Sequence, residues 1–475
     1  MNIYIPIEIK VRELEGKLLL ALVAAERGHT VILGDKSNTR KLAADGILPP
    51  GILHNKSLTP SDKTLKLLEK LEKNGHVITC QDEESGLLDE SYDEFARLRF
   101  SEKSILSVER VYTWGGHDTE SLKRLFPTGE DRILPAGSPR VDYWRKEFDQ
   151  YYKSEQKSRL PREKRPFILI ASNFGTILNE NRFFNVIARS RRAGYYEREE
   201  GRERHEYQNI AYQTKLIYEF VVMIRKLSET YTDHTILVRP HPVESIEAWK
   251  KIIGEYSNVE VIREGTISGW IRNAEVMIHN GCTTAIESAA SGLPRIAYRP
   301  IPSELEREIP NQVSINAFNL DELLSQVGKI LETGKVSNEK DVQDQASKIL
   351  KERFSNLTGP LAAEKIVDDW EEIGKDLSSF HKSADELWRL KFTKKKILKN
   401  ELKFLKKFVS TITNFKKTKK QKSNKLLKSG HKFPDLDESE MQKLLMNLQT
   451  TLGQFSTITF KKFSEKSYIV YKENT

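Results

Sequence analysis

The sequence is poor in cysteine: its 475 residues include only Cys80 and Cys282. Two cysteines provide neither a disulfide framework nor a cysteine-rich metal site, and such sparse use is typical of a reducing compartment. The sequence also lacks any apolar run near the roughly 20 residues that a membrane-spanning helix needs. Its N-terminus has no basic region followed by an apolar one, so no secretory signal is visible. We therefore expect a cytoplasmic protein.

Several common ligand-binding motifs are missing as well. There is no G-x-x-x-x-G-K-[ST] loop, no G-x-G-x-x-G, no H-E-x-x-H and no Cys/His metal array. Asp-x-Asp, a frequent device for metal-bound nucleotides, occurs only as Asp435-Leu436-Asp437 in the C-terminal tail. From these absences we expect chemistry that uses neither a metal nor a resident cofactor.

The positive charge is concentrated in one segment. The formal net charge is +9, but residues 391–430 hold 15 Lys and one acid, Glu401, which leaves about −5 for the rest of the chain. Within this segment, 394–412 places apolar side chains on one helical face with lysines around them. Such a helix could pack against the protein body, attach to an anionic membrane surface or bind nucleic acid. Few aromatic residues and no recognised module argue against nucleic acid, and membrane attachment would place the protein at the inner face of a membrane.

The N-terminal residues have the pattern of a βαβ unit, with an apolar strand at 3–7, a helix over 10–27 and a second strand at 30–34. Alternating strands and helices of this kind predict a parallel, doubly wound sheet. A polar, basic linker at 151–165 precedes a second series of strands and helices, so we predict an α/β chain with two Rossmann-like domains. The predicted boundaries are 1–150 and 166–350 for these domains, 359–374 for a crossover helix and 375–475 for a basic helical appendage.

One stretch of the second series, residues 278–294, has the pattern of a strand end, a glycine turn and a helix. Asn280 and Gly281 supply the turn, because glycine tolerates positive φ. Thr283 or Thr284 can cap the helix. The start of such a helix presents unpaired N–H groups and a partial positive charge, which together favour a phosphate. The alternative is an ordinary βα turn without a ligand.

A second motif, Arg239-Pro240-His241-Pro242, directly follows the strand predicted at 235–238. Residues just past the carboxyl ends of parallel strands line the ligand crevice. The flanking prolines restrict the backbone of His241, and a rigidly held imidazole can contact a phosphate or protonate a leaving group. Arg239 adds a fork suited to phosphate. The alternative is a loop histidine with a structural hydrogen bond.

Three acids, Asp82, Glu83 and Glu84, follow the strand predicted at 76–79 in the first domain. A carboxylate at the end of a strand is well placed to act as a general base, and repulsion within a cluster raises at least one pKa. The same residues could instead cap the next helix and form its acidic first turn. Their spacing does not distinguish which of them would be the base.

Further polar side chains follow other predicted strands and are candidates for the same crevices. Each has a plain alternative, which is a surface ion pair, a turn or an exposed helical acid. Glu287, one turn into the helix after Thr283, could bind a sugar hydroxyl. The remaining candidates are Glu8, Arg12 and Glu13 after the first strand, Ser138 and Arg140 near the domain junction, and Ser172 and Asn173 after the first strand of the second domain.

Taken in order, these motifs resemble those of GT-B glycosyltransferases and, more closely, the bacterial surface carbohydrate biosynthesis protein family. The similarity spans about residues 1–370, with Lys432-Phe433-Pro434 as a weaker echo in the tail. Parts are shared with transferases that use CMP-activated sialic acid or Kdo, and with CDP-glycerol glycerophosphotransferases. Ser85 departs from the sialyltransferase pattern, because it lengthens the spacing from acid to glycine. The matching pieces are Glu8…Arg12-Glu13-Leu14, Asp82-Glu83-Glu84-Ser85-Gly86, Gly137-Ser138-Pro139-Arg140, Arg239-Pro240-His241-Pro242 and Gly281-Cys282-Thr283-Thr284-Ala285-Ile286-Glu287.

The resemblance implies a GT-B-like fold and a metal-independent glycosyltransferase of surface polysaccharide, or capsule, biosynthesis. Its donor would be a nucleotide-sugar with a cytidine nucleotide, such as a CMP-ulosonic acid, and its acceptor a glycan or a lipid-linked acceptor. His241 would stabilise or protonate the leaving phosphate, and one of Asp82, Glu83 and Glu84 would deprotonate the acceptor hydroxyl. The donor-binding residues would be Arg239, Pro242, Asn280, Gly281, Thr283, Thr284, Glu287, Ser172 and Asn173.

Three other functions stay open on the sequence. A CDP-polyol phosphotransferase would share the cytidine nucleotide. A nucleotide-sugar 2-epimerase would convert a UDP-sugar without an acceptor, and a non-catalytic GT-B scaffold would bind no nucleotide. Nucleotide preference therefore separates the epimerase and the scaffold from the two transferases that use a cytidine nucleotide.

Overall fold

The structure is a computed structural model, and it describes residues 1–85, 92–156, 166–179, 183–192, 194–198, 200–334, 339–390 and 435–473. The basic segment 391–430, with its predicted amphipathic helix, lies outside the described residues. The chain divides into two compact units. The first unit is Met1–Tyr151 with Glu352–Thr475, and the second unit is Tyr152–Lys351.

Strands and helices alternate through most of the chain, as the sequence predicts. The strands are β1 Asn2–Ile7, β2 Thr30–Asp35, β3 Ile52–Asn55, β4 Val77–Gln81, β5 Arg110–Tyr112, β6 Ile133–Leu134, β7 Phe167–Ala171, β8 Thr235–Arg239, β9 Val259–Val261, β10 Val276–His279, β11 Arg295–Tyr298, β12 Ile315–Ala317, β13 Ile458–Ser464 and β14 Ser467–Lys472.

The helices are α1 Lys10–Glu26, α2 Lys36–Ala44, α3 Asp62–Lys73, α4 Tyr92–Arg99, α5 Glu102–Leu106, α6 Gly116–Leu125, α7 Pro139–Asp142, α8 Asp149–Gln156, α9 Phe183–Arg192, α10 Tyr195–Arg198, α11 Arg202–Thr230, α12 Ile246–Ile253, α13 Ile267–Ile271, α14 Thr284–Ser291, α15 Glu308–Gln312, α16 Leu320–Thr333, α17 Glu339–Arg353, α18 Ala362–Ile373 and α19 Glu438–Leu452. No helix among the described residues is long and apolar enough to cross a membrane.

The sheet of the first unit has the order β13-β14-β2-β1-β3-β4-β5-β6. Its strands β1 to β6 pair in parallel. All six residues of β1 are buried, as expected for a strand covered on both faces by helices. The strand order reverses at β1, so the loops after β1 and β3 lie on either side of a topological switch point, where open α/β sheets place their ligands.

The sheet of the second unit has the order β12-β11-β10-β7-β8-β9, and every pair is parallel. Counted along this unit alone, the order is 3-2-1-4-5-6, which is that of a Rossmann fold. The apolar core lies between the sheet and its helices, where Ile170, Phe220 and Trp249 are fully buried. The prediction of an α/β chain with two Rossmann-like domains is confirmed.

The prediction of a helical appendage over 375–475 is wrong for the C-terminal described residues. After α19, β13 and β14 form an antiparallel hairpin, and β14 pairs with the edge of β2. Tyr468, Ile469 and Val470 are fully buried, so this hairpin continues the sheet of the first unit and covers an edge that would otherwise expose unpaired backbone groups. The predicted crossover helix 359–374 is observed as α18, within the first unit.

The contact between β2 and β14 depends on a glycine. A Cβ on Gly34 would lie 2.3 Å from the Cβ of Ser467 and 2.6 Å from the carbonyl oxygen of Lys466. We predict that Gly34→Ala lowers the free energy of unfolding of the first unit by about 1–3 kcal/mol, because the hairpin must shift. Gly116→Ala is the matched control, since its nearest neighbour is 3.7 Å away. Urea unfolding of both variants measures this, and equal stabilities would contradict the docking role of Gly34.

Candidate functional site

A cavity of about 570 Å³ opens in the second unit at the carboxyl ends of its strands. β7 and β10 are neighbours in the sheet although 104 residues, 172–275, lie between them in the chain, and the strand order reverses between them. The cavity is therefore at the topological switch point, where the fold places a ligand. The lining residues that matter for phosphate chemistry are Asn173, His241, Asn280, Gly281, Thr283 and Arg307.

Two asparagines join the loops that leave β7 and β10. The backbone N–H of Asn173 donates to Oδ1 of Asn280 over 2.8 Å, and Nδ2 of Asn280 donates to the carbonyl of Asn173 over 3.3 Å. Each loop thereby satisfies a backbone group of the other that would otherwise cost free energy when buried. These side chains position the cavity floor, so the predicted ligand residues Asn173 and Asn280 do come together here.

A buried histidine holds the glycine turn. Gly281 has φ +73°, a conformation that favours glycine, and its N–H donates to Nδ1 of His279 over 3.1 Å. Since Nδ1 accepts, Nε2 carries the ring proton, and it lies 2.9 Å from Oγ of Ser314. The Ser314 hydroxyl donates to the carbonyl of Pro310 over 2.7 Å. Burial, with a smaller contribution from Arg295, lowers the pKa of His279 to about 3.

The start of α14 presents backbone donors to the cavity. The N–H groups of Ala285 and Ile286 donate to Cys282 and Thr283 carbonyls within the first turn. Those of Cys282 and Thr283 have no acceptor among the described residues, and both residues line the cavity. Such donors and the helix dipole attract an anion. The hydroxyl of Thr284 accepts from the Cys282 thiol over 3.1 Å, and Thr284 does not line the cavity.

His241 lies in the cavity wall, held by its own turn. Its Nδ1 accepts from the N–H of Val243 over 3.4 Å, which leaves Nε2 to carry the proton of the neutral ring. Burial, and secondarily the nearby positive charge of Arg307, lowers the pKa of His241. An anion bound between these two side chains would offset that charge and raise the pKa again.

The turn that carries His241 is anchored by Glu244, a residue outside every predicted motif. Its carboxylate is fully buried and accepts from Oγ of Ser172 over 2.5 Å, from the N–H of Phe174 over 2.6 Å and from Nε1 of Trp249 over 2.7 Å. Burial raises the pKa of Glu244. The predicted ligand residue Ser172 is therefore a hydrogen-bond partner of this carboxylate and does not line the cavity.

Arg307 is the second residue that sequence reasoning missed. It lies beyond β11 in a loop without a recognised motif, and only its position after a strand of the sheet could have indicated it. A Cβ added to Gly281 would lie 3.4 Å from the Cβ of Arg307, so the arginine covers the glycine turn directly. The cavity thus collects a guanidinium, an imidazole and backbone N–H groups, a set of donors suited to a phosphate.

Three other predicted donor-binding residues point to structural partners instead. Arg239 donates to the carbonyls of Glu264 and Gly265 over 2.8 and 2.5 Å and lies over the Trp270 ring. The carboxylate of Glu287 is buried and accepts from Ser268, which ties α14 to α13. The carbonyl of Pro242 accepts from Arg263. We correct their assignment, because none of the three lines the cavity.

In the first unit, a buried network of charges occupies the switch point at β1 and β3. The side chain of Glu13 is fully buried and accepts from the N–H groups of Glu8 and Ile9 at the start of α1. It also pairs with Lys17 and Lys56 over 3.2 and 3.1 Å. Burial would raise the pKa of Glu13, but the two lysines hold it at about 2. The predicted cleft residue Glu13 therefore stabilises the start of its own helix.

The lysines of this network have further acid partners. Lys17 is buried and pairs with Glu83 over 3.2 Å. Burial alone would lower the pKa of Lys17, but Glu83 and Glu13 raise it above its ordinary value, so Lys17 stays charged. Lys56 and Lys36 both pair with Glu8, over 3.1 and 2.8 Å. Burial would raise the pKa of Glu8, but these lysines hold it well below its usual range.

Asp82 and Glu84 differ sharply in exposure. The carboxylate of Asp82 is almost fully buried, accepts from two nitrogens of Arg99 at 2.9 and 2.7 Å and also accepts from the N–H of Glu84. Burial raises the pKa of Asp82 despite Arg99. Glu84 is 43% exposed and pairs with Arg12 over 3.1 Å. Of the three predicted acids, Glu84 is therefore the one most accessible from solvent.

The predicted ligand turn around Ser138 contacts another segment of the same unit. Asn356 accepts from the N–H of Ser138 over 3.2 Å and donates to its carbonyl over 3.1 Å. Asp142 accepts from the N–H groups that begin α18. The backbone of Arg140 packs against α1, since a Cβ on Gly16 would lie 2.9 Å from its nitrogen. We correct the assignment of Ser138, because its main-chain groups bond to Asn356 and its hydroxyl accepts from the N–H of Arg140.

The chemistry of the two units follows from these contacts. Among the described residues, no group of three or more His, Cys, Asp or Glu side chains is placed to hold a metal ion. One chain carries two Rossmann-like units, one with a donor-rich cavity and one with an acid beside a buried ion network. Each of the two units has a Rossmann-like fold.

No family model matches the chain, and no curated protein matches it either. Among solved structures, the chain is similar to the wall teichoic acid polymerase TagF soaked with CDPG, with 13% identity and a TM-score of 0.43. The match covers 69% of this chain and 72% of the TagF chain. UDP-GlcNAc 2-epimerase from Neisseria meningitidis, bound to UDP-GlcNAc, is 11% identical with a TM-score of 0.45, covering 78% and 100%. MnaA from S. aureus with UDP is 13% identical with a TM-score of 0.42, covering 80% and 99%. At these values the likeness adds nothing to the functional argument.

The buried ring of His279 makes the second unit sensitive to acid. Its folded pKa of about 3 lies below the unfolded value of 6.5, so its stabilisation is complete above pH 6.5 and is lost as the pH falls towards 3. We predict that the free energy of unfolding falls by about 1.4 kcal/mol per pH unit in this window.

His279→Asn keeps an acceptor for the Gly281 N–H but does not titrate, so it should flatten this slope. Urea unfolding of the second unit between pH 4.5 and 7.5 measures it. The control is His54→Asn, because His54 is a buried histidine of the first unit whose pKa is also lowered to about 3. An unchanged slope in His279→Asn would overturn the assignment.

Proposed function

We propose that this chain is a GT-B-like enzyme of surface carbohydrate biosynthesis that binds a nucleotide-activated sugar in its second unit and transfers the sugar to a glycan or lipid-linked acceptor. The observation that carries the proposal is the cavity at the β7–β10 switch point. There the Gly281 turn, the free N–H groups of Cys282 and Thr283, His241 and Arg307 converge. These donors suit a phosphate that gains negative charge as it leaves.

The proposed reaction is a single displacement at the anomeric carbon of the donor sugar. The acceptor oxygen forms a bond to that carbon while the bond from the carbon to the phosphate oxygen breaks. The phosphate leaves with the electron pair and is held by Arg307 and the backbone N–H groups, and Nε2–H of His241 can donate to it. Glu84 takes the proton of the acceptor hydroxyl.

The donor that we propose carries a cytidine nucleotide, such as a CMP-ulosonic acid. Support for cytidine comes from the resemblance of His241-Pro242 and Thr283-Thr284 to motifs of transferases that use such donors. The predicted association of 391–430 with an anionic membrane surface stays a prediction, since those residues lie outside the described part of the chain. A membrane-bound tail would keep the enzyme near a lipid-linked acceptor.

Nucleotide binding tests the assignment of the phosphate site. We predict that His241→Ala weakens binding of CMP or CDP by about tenfold or more, because it removes a donor to the phosphate. Binding to the wild type should take up protons at a pH where the ring of unliganded His241 is neutral, because the bound anion raises the pKa of His241. Calorimetry in two buffers of different ionisation enthalpy measures both effects.

The matched control is His234→Ala, because His234 precedes β8 at the opposite end of that strand and pairs with Asp233 and Glu275. Loss of cytidine nucleotide affinity in His241→Ala but not in His234→Ala supports the transferase. Preference for UDP would favour a 2-epimerase, and absence of any nucleotide binding would favour a scaffold. Either result would overturn the proposal.

The identity of the base is tested in the first unit. We predict that Glu84→Gln lowers the rate of nucleotide release from a CMP-sugar donor by about 10²–10⁴-fold, as expected for a general base, and leaves nucleotide affinity unchanged. Glu109→Gln is a control for the loss of a charge, since Glu109 lies just before β5, is exposed and pairs with Arg110. An unchanged rate of nucleotide release in Glu84→Gln would show that Glu84 is not the base.

A further inference from the structure

One side of the second-unit cavity carries hydrogen-bond acceptors that lack a donor. Oε1 of Glu306, Oδ1 of Asn311 and Oε1 of Gln213 are buried without a hydrogen-bond partner among the described residues, and all three residues line the cavity. A buried acceptor left in this state is destabilising, because it has lost its hydrogen bonds to water without gaining others. Three of them in one cavity indicate a ligand that brings several donors.

The neighbours of Glu306 determine which oxygen atoms lack a hydrogen-bond donor. Its Oε2 accepts from Nε of Arg299 and from Nδ2 of Asn311, the latter over 3.3 Å. Because an ionised carboxylate only accepts hydrogen bonds, the amide nitrogen of Asn311 must face it, and the amide oxygen is the atom without a donor. The side chain of Glu306 is 8% exposed and Asn311 is 6% exposed, so bulk water does not serve these atoms freely.

The charge of this group favours a neutral ligand over a cation. Arg299 compensates Glu306 directly and also donates to Oδ1 of Asn316 over 3.1 Å. Tyr212, on the same helix as Gln213, also lines the cavity. Burial and the charge of Glu306 raise the pKa of Tyr212 to about 12, so its hydroxyl stays neutral. The hydroxyls of a sugar ring supply several hydrogen-bond donors without a net charge.

We propose that Glu306 and Asn311, with Gln213 from α11, form a subsite that binds neighbouring hydroxyls of a sugar ring. Its two possible sources are the ribose of the nucleotide and the sugar to be transferred, and both present the same chemistry. The inference rests on the proposed function, because the phosphate donors lie in the same cavity. It also replaces Glu287, the acid expected to bind a sugar hydroxyl, whose carboxylate is buried against Ser268.

Calorimetry with paired ligands tests the subsite in the full chain. CDP is compared with dideoxy-CDP, which lacks both ribose hydroxyls, and a CMP-sugar is compared with CMP. If the hydroxyls come from the ribose, the wild type should bind CDP at least about tenfold more tightly than dideoxy-CDP. If they come from the transferred sugar, it should bind the CMP-sugar at least about tenfold more tightly than CMP, since a site built to bind hydroxyls rejects an analogue without them. The pair that shows the difference identifies the source of the hydroxyls.

Variants then assign the preference to these residues. In Glu306→Gln the amide oxygen must face Arg299, so the amide nitrogen, a donor, replaces the carboxylate acceptor in the cavity. The preference for the ligand that carries the hydroxyls should therefore fall by about tenfold. Gln213→Leu removes an acceptor from α11 without touching Arg299, and it should reduce the preference even if Glu306→Gln folds poorly. Glu255→Gln makes the same charge change at an exposed acid of the second unit that does not line the cavity, and it should leave the preference unchanged.

The failure of this inference is distinguishable from failure of the proposed function. If nucleotides bind but neither pair differs in the wild type, or the difference survives in both variants, the subsite is overturned and the nucleotide assignment stands. If no nucleotide binds, the proposed function fails, and NMR titration with methyl riboside and N-acetylglucosamine decides the subsite. Binding lost in Gln213→Leu supports it, and absence of binding overturns it.

Discussion

The second unit depends on the reversal of strand order between β7 and β10. Two loops from distant parts of the chain leave the sheet side by side there, and their backbone groups must be satisfied without regular pairing. Asn280 does this for Asn173, and His279 does it for Gly281. Because these bonds hold the turn in place, the N–H groups of Cys282 and Thr283 stay available and the cavity acquires its donor-rich end.

The same cavity has two chemically distinct sides. His241, Arg307 and the turn before α14 present donors, whereas Glu306, Asn311 and Gln213 present acceptors. A ligand with an anionic group and a hydroxyl-bearing ring satisfies both sides at once, which a free phosphate or a free sugar does not. The first unit is built differently, because its buried lysines are matched to Glu8, Glu13 and Glu83 and leave Glu84 as the exposed acid.

Local pattern predicted the fold well and the lining of the second-unit cavity in part. Apolar strands such as β1 and the periodic helix α1 are visible in any window, because both depend on neighbouring residues. The positions of His241, Asn280 and Thr283 followed from their place after strands. Arg239 and Glu287 carried equally suitable chemistry, yet they bind Glu264 and Ser268 of nearby segments. Sequence spacing contains no information about partners of that kind.

The sequence by itself determined the two Rossmann-like units and the sheet edges at which their polar loops collect, because hydrophobic periodicity and the rules of parallel sheets are sufficient for both. Tertiary structure decided which polar side chains are used up in the fold and which remain for a ligand. Arg307 and Glu306 have no local signature, and β14 reaches β2 from the other end of the chain. Such assignments depend on burial and on the partners that distant segments supply, and these arise only when the chain has folded.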